Sequence, residues 1–373
     1  MKILYLTSIG GILDYRFLKM RAGDYDVLAL HYCSSELIGE IQDIKGLKII
    51  SKKPLVRSFP LLSEYFHFKK CVAEFKPNII HSGYVWQVGI LPALLNFHPH
   101  LSMPWGSDIL TEPDRHFLIK SITRKTIRQS DHIQCDAEFV KQKMIADYKV
   151  SPEKITVFPW GIDLDIFKPA DKTECRKQLK LDGNAFVVIF NRALENIYGI
   201  ENLLEGFRDF AKNKNDVKLL LVSGGSKSDF VKEFIRSNQL EQKIEFVGRV
   251  PNDKLPVYLN ASDVYLSTSL SDGTSLSLLE ALACGLGIIV TDVPAIREWV
   301  NSDNGIIARV KDSASITASL ETYYNNRDLV KVHGDQNLKI AAEHCNWDTN
   351  YGYLKKIYSD LMESSKGKGN TTA

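Results

Sequence analysis

The chain has 373 residues, more than one hydrophobic core usually spans, so two domains of ordinary size are expected. Hydrophobic residues at 44% and charged residues at 25% suit a soluble globular protein, and a formal net charge of +2 argues against nucleic acid as a partner. Six cysteines (Cys33, Cys71, Cys135, Cys175, Cys284 and Cys345) stand far apart without a C-x-x-C pair, which fits reduced thiols in a cytosol better than a disulfide framework or a zinc site.

In chain order, the opening run KILYLTS reads as a first strand. Asp14 and Arg16 follow too soon, and without a small-residue cleavage pattern, for a signal peptide. Further short apolar runs follow as DVLALHY, NIIHSG, LSMPWG, DHIQCD and KITVFPWG, and then as AFVVIFNRA, VKLLLVSGG, KIEFVGRV, DVYLSTS and LGIIVTD. Helical patterns separate them, which predicts an α/β protein of two parallel sheets built from right-handed β-α-β units. No apolar run is long enough for a transmembrane helix. Residues 158–185 cluster Pro, Gly and charge, so the boundary is placed near 168. The expected layout is a first domain over 1–168, a second over 169–345, and a helix from 346 returning toward the first domain and ending in a disordered tail, ESSKGKGNTTA.

Charge is unevenly shared. Between residues 41 and 80, Lys45, Lys48, Lys52, Lys53, Arg57, Lys69, Lys70 and Lys76 face only Asp43, Glu64 and Glu74, and residues 115–129 add Arg115, Lys120, Arg124, Lys125 and Arg128. Such faces are either solvated or fit an anionic membrane or a lipid-diphosphate acceptor.

Residues 271–292, SDGTSLSLLEALACGLGIIVTD, place Asp272 before a polar run that opens an apolar helix, and Glu280 on that helix. In a doubly wound domain such strand-to-helix junctions hold ligands. Amides around Gly273, Thr274 and Ser275 would be unpaired donors at a positive helix end, suited to phosphate. Glu280 would then lie where the ribose of a nucleotide would be, and Asp272 would face the group beyond the phosphates. The plainer alternative makes Asp272 a helix cap and leaves Glu280 exposed.

The segment DGTSLSLLEALACGLGIIVT resembles the E-x7-E element of the retaining family 4 glycosyltransferases, with Asp272 in place of the first Glu. KITVFPWGIDLDIFKP, NRALENIYGIENLLEGF, LLLVSGG and PWGSDIL resemble four other segments of that family in the same order. The resemblance implies the GT-B fold, two Rossmann-like doubly wound domains facing a central cleft. It also implies sugar transfer, with retention and without a metal or other cofactor, from a UDP- or GDP-sugar to a carbohydrate or lipid-linked acceptor in cell-surface polysaccharide or glycolipid assembly. The expected setting is cytoplasmic or peripheral to the inner membrane face.

On this resemblance Asp272, Arg192 and Glu280 are the catalytic candidates, and Gly273, Thr274, Ser275 and Leu276 line the diphosphate. The family's Lys six positions after the Arg is Tyr198 here, which can donate a hydrogen bond but supplies no charge. Gly248, Arg249 and Val250 would face the base. Gly10 and Gly11 either approach the donor or form a tight turn. On the acceptor side stand Trp105, where the family often has His, then Asp108, which could equally cap a helix, and His81, which could equally be structural. The triplets Asp24-Tyr-Asp26 and Asp163-Leu-Asp165 invite a metal reading, but they fall at a strand start and in the interdomain segment. His98-Pro-His100 reads as loop. A non-hydrolysing nucleotide-sugar epimerase and a non-catalytic nucleotide-sugar binder remain as alternatives.

Overall fold

A computed structural model describes residues 1–8, 11–32, 39–52 and 62–369. The chain divides into two compact units, Met1–Phe158 with Gly352–Ala373, and Pro159–Tyr351.

The first unit holds β1 (Lys2–Thr7), β2 (Asp26–His31), β3 (Lys48–Ser51), β4 (Ile79–Gly83), β5 (His100–Met103), β6 (His132–Cys135) and β7 (Ile155–Val157). They pair in the order β3-β2-β1-β4-β5-β6-β7. Every pairing is parallel, with Ile3 opposite both Val27 and Ile79. Strands covered on both faces need apolar side chains on both, which is why the central strands are near-continuous Ile, Leu and Val. The order reverses between β1 and β4. His100, read as loop, begins β5 and is buried.

The second unit holds β8 (Phe186–Phe190), β9 (Val217–Leu221), β10 (Ile244–Phe246), β11 (Val264–Ser267), β12 (Gly287–Thr291) and β13 (Ile306–Ala308). Their order is β10-β9-β8-β11-β12-β13, again all parallel. Each unit is thus a doubly wound Rossmann-like domain, and in the second the order reverses between β8 and β11. That reversal opens a crevice beyond the carboxyl ends of β8 and β11.

The segment before residue 168 packs with the second unit rather than the first. Ile162 and Phe167 are fully buried in its core, and Ile162 exchanges backbone hydrogen bonds with Cys345 and Trp347. Asp163 spends Oδ1 on the backbone amides of Asp165 and Ile166, so this triplet forms a turn. At the other end the helix Trp347–Gly369 takes in residues 363–369, which the sequence reading gave to a disordered tail. Leu354, Ile357, Tyr358 and Leu361 are buried and anchor it, and once a helix is nucleated each further residue adds a hydrogen bond at little cost.

The five described cysteines are buried and free. Cys33 lies outside the described residues.

Candidate functional site

β8 is wholly buried and delivers Asn191 and Arg192 to the crevice; β11 delivers residues 268–275 to the same place. The helix Leu276–Ala283 that follows is buried on every side, so its end is held rigidly against the sheet. Arg192 Nη2 pairs with Asp272 Oδ2 at 2.6 Å, the two side chains retaining 10% and 14% of their exposure. Nη1 of the same guanidinium donates to Ser275 Oγ and, at 3.3 Å, to Ser277 Oγ. Its carbon stands 4.1 Å from the centre of the Tyr198 ring, a cation-π contact. Burial is the largest single influence on Arg192 and opposes its charge, yet Asp272 together with Tyr198 and Tyr265 outweighs it and the guanidinium stays cationic. Burial raises the Asp272 carboxyl above its usual range, partly offset by Arg192 and Ser269.

Glu280 is 6% exposed on a helix whose neighbours are Leu and Ala. A carboxylate there is costly unless it is hydrogen-bonded, and Asn191 Nδ2 donates to Oε2 at 3.2 Å. Ser275 caps the helix by accepting the Leu278 amide, so Asp272 is not the cap and Glu280 is not exposed. The helix mouth is less open than expected, because the Gly273 amide serves the Asp272 carboxylate. Thr274 Oγ1 accepts from Trp299 Nε1 at 3.1 Å, and Leu276 packs against the core.

Two loops are stitched together around this group. The Leu270 amide donates to Ile197 O at 2.8 Å, and Thr268 Oγ1 donates to Tyr198 O at 2.7 Å. Gly199 between them has φ +62°, and a Cβ there would collide with Thr268 O. Only glycine adopts this conformation freely, and only glycine fits the space. On the other flank Gly225 presses on the Leu194 backbone, and Glu195 accepts from the Ser226 amide at 2.7 Å. Gly248, at φ +81°, leads past β10 to Arg249, whose Cγ lies beside Gly224. Gly248, Arg249 and Val250 therefore follow β10 at the same carboxyl edge of the sheet.

The acceptor-side candidates fare differently. His81 is fully buried on β4, its Nδ1 2.6 Å from Tyr358 Oη and 3.2 Å from Arg21 Nη2. Burial, helped by Arg21, holds its pKa well below the usual value, so it is a neutral core histidine. Asp108 is likewise sealed. It accepts from the Val85 and Trp105 amides, each at 2.8 Å, and burial pushes its carboxyl up to about 7 against those hydrogen bonds. Trp105 is half-buried, edge-on to Phe17 and pressed against Gly83. Gly11 begins a helix in an extended conformation open to any residue, and Gly10 lies outside the described residues.

Asn191, Ser269, Ser277, Tyr265 and Trp299 were not anticipated. Asn191 had a signal, since it adjoins Arg192 in FNR, and Ser269 and Ser277 flank the run from Asp272 to Leu276; Tyr265 and Trp299 meet the site through space. Tyr265 on β11 reaches Ser277 Oγ at 2.9 Å. In the first unit Glu112 accepts from Tyr84 Oη and Trp86 Nε1, both at 2.5 Å, a side-chain cluster that no spacing rule marks. Among the described residues no group of three or more His, Cys, Asp or Glu is placed to hold a metal ion.

Residues 171–339 match the family model described as glycosyl transferases group 1, and residues 16–166 match that of glycosyltransferase family 4. The chain belongs to the family 4 type of glycosyltransferases. Its fold is GT-B: the Anabaena HepE structure in complex with UDP aligns at a TM-score of 0.80 with 18% identity, over 96% of this chain and 100% of that one. The phosphatidylinositol N-acetylglucosaminyltransferase GPI3 subunit of Saccharomyces cerevisiae is 27% identical over 49% of this chain and 40% of its own length. An alpha-monoglucosyldiacylglycerol synthase of Streptococcus pneumoniae is 26% identical over 69% of this chain and 60% of its own. The alignments thus span less than two thirds of these curated relatives.

Proposed function

We propose that this family 4-type protein moves a sugar from a nucleotide diphosphate sugar to an acceptor hydroxyl, with retention at the anomeric carbon and without a metal ion. The observation that carries the reading is the meeting of Arg192, Asp272 and Ser275 in the β8/β11 crevice, with Glu280 buried behind them. A guanidinium can hold a diphosphate through two parallel hydrogen bonds and stabilise the charge that grows on it as the glycosidic bond breaks. The positive end of the Leu276–Ala283 helix adds to that stabilisation. Glu280, steadied by Asn191, accepts the ribose hydroxyls, and Asp272 faces the sugar once the diphosphate takes its place on Arg192. Tyr198, lacking a charge, works as a platform under the guanidinium.

Retention by double displacement needs a carboxylate nucleophile beneath the sugar. The family resemblance favours instead attack from the leaving-group face, with the departing phosphate oxygen taking the acceptor proton. The acceptor is a carbohydrate or lipid-linked hydroxyl, in keeping with relatives whose names include phosphatidylinositol and monoglucosyldiacylglycerol.

The test is a thermal-shift screen with UDP, GDP and ADP sugars, since a ligand that binds only the native state raises Tm, followed by transfer assays with the donor that scores. Retained transfer within a few-fold of wild type in Arg192→Ala and Glu280→Ala would remove the assignment. Epimerised donor in the absence of acceptor would establish the epimerase reading, and tight binding without turnover the binder reading.

A further inference from the structure

We propose that the second unit carries a further anion site, a pocket at the amino edge of its sheet that binds the phosphate group of a small phosphorylated molecule. The ligand crevice of a doubly wound domain lies at the carboxyl ends of the strands, so the topology itself asks for no pocket at the other edge. Yet a cavity of about 660 Å³ opens there. It is lined by Ala185, Asp263 and Gly285, which stand just before β8, β11 and β12, and by the N-terminal half of the helix Arg327–His344. Arg192 follows the far end of β8, whose length is roughly 17 Å, so this pocket and the Arg192 crevice are separate.

The lining is cationic. Lys172, Arg176, Arg327 and Lys331 face the carboxylates of Asp263 and Asp335, four positive charges against two negative. The surplus arises because Asp263 cannot serve all its neighbours. Its Oδ1 accepts from Lys172 at 2.9 Å, and its Oδ2 from Arg176 and from the Val187 amide, both at 2.8 Å. Arg176 is buried and spends Nε and Nη1 on the carbonyls of Ala261 and Gly183, so it holds the fold together and has little left for a ligand. Arg327 is the cation left over. Its Nη1 stands 3.8 Å from Asp263 Oδ2, beyond hydrogen-bond reach, and among the described residues neither of its terminal nitrogens makes a hydrogen bond.

Two aromatic rings hold Arg327 in place. Its guanidinium carbon lies 4.2 Å from the centre of the Phe186 ring and 5.0 Å from that of Tyr324, and Nε donates to Tyr324 O at 3.1 Å. The fork is therefore fixed while its two ends stay unspent, and at 41% exposure it is within reach of a ligand. A planar fork of this kind meets two oxygens of one phosphate at little further loss of freedom. Lys331 stands one turn further on the same helix face, and its ammonium, 78% exposed and paired only with Asp335, adds a point charge. The surplus of charge matches a phosphate dianion. The volume exceeds what a lone phosphate fills and falls in the range of small-molecule pockets, which leaves room for the rest of the ligand. The inference does not rest on sugar transfer.

The test is isothermal titration calorimetry of the full chain with inorganic pyrophosphate and with glucose 6-phosphate, and with sulfate at matched ionic strength as a bare tetrahedral dianion. Wild type is expected to bind at least one of the two phosphates about tenfold more tightly than sulfate, and the tighter of them tells condensed phosphate from a phosphate ester. Arg327→Ala should weaken that binding about tenfold or more, and Arg327→Lys, which keeps the charge without the fork, should weaken it less. Lys331→Glu, which reverses a charge on an exposed side chain, should also cost about tenfold while leaving Tm and any nucleotide-sugar thermal shift close to wild type. That pairing of readouts separates loss of this site from misfolding and from failure of the donor crevice. Pyrophosphate can also enter the Arg192 crevice, so the losses are measured in an Arg192→Ala background as well, where they should persist. Binding of neither phosphate, binding matched by sulfate, or binding that Arg327→Ala and Lys331→Glu leave unchanged in that background would overturn the proposal.

Discussion

The two units share one topology, yet their carboxyl edges treat buried acids in opposite ways. In the first unit Asp108 gives its oxygens to two main-chain amides, and His81 is sealed between Arg21 and Tyr358. In the second unit Asp272 is held chiefly by a guanidinium that itself rests on a tyrosine ring, and Glu280 by a side-chain amide. An acid satisfied by backbone fixes a loop and has little left for a ligand. An acid satisfied by side chains at a partly open crevice can trade those partners for a substrate.

The sharpest way to break this contrast is Arg192→Ala. Loss of the charge that meets the diphosphate should lower kcat/KM for the scoring donor by about 10²–10³-fold, or ~3–4 kcal/mol, in steady-state assays. A titration separates the two acids next. The Asp108 carboxyl sits at about 7 in the folded chain, above its usual value, so between about pH 4 and pH 7 the native state holds the extra proton. Stability should therefore fall as pH rises through that window and level off above it. Relative to Asp108→Asn, which does not titrate, wild type should lose roughly 3 kcal/mol between about pH 5 and about pH 8, read from urea unfolding. Catalysis should not follow this titration if Asp108 only fixes a loop.

A smaller effect tests how the second unit holds its loops. Gly199→Ala forces a Cβ onto Thr268 O at positive φ, and should cost about 1–3 kcal/mol in unfolding measurements while depressing donor affinity. Smallest is Tyr198→Phe. The ring, not the hydroxyl, meets Arg192, so activity should stay within about threefold, whereas Tyr198→Ala should lose roughly tenfold through the missing cation-π platform.

The interior of each sheet could be read directly because buried parallel strands are apolar throughout. The strands that escaped notice, β3 and β13, lie at sheet edges. With one neighbour each they need less burial: β3 is mostly exposed, and two of the three β13 residues are only partly covered. Asp272 and Glu280 could be proposed from the sequence because they lie eight residues apart on one loop and helix, and Arg192 from the segment that resembles the family's. Tyr265 and Trp299 could not, since only the fold brings them to Ser277 and Thr274, and Asn191 was passed over although it adjoins Arg192. Asp108 shows the converse failure. Its position at a helix start suggested an acceptor contact or a helix cap, whereas its carboxylate accepts from the Val85 and Trp105 amides and does not cap the helix.

The Arg192–Asp272 pair also bears on selectivity against the small anions of a cell. On the proposed reading the resting crevice carries its own anion, so a visitor must displace a tethered carboxylate before it gains the guanidinium. A lone orthophosphate brings few other contacts to that exchange, whereas a nucleotide sugar brings a pentose and a base as well. An internal rival of this sort would keep the pocket clear of abundant inorganic ions while costing the intended donor comparatively little.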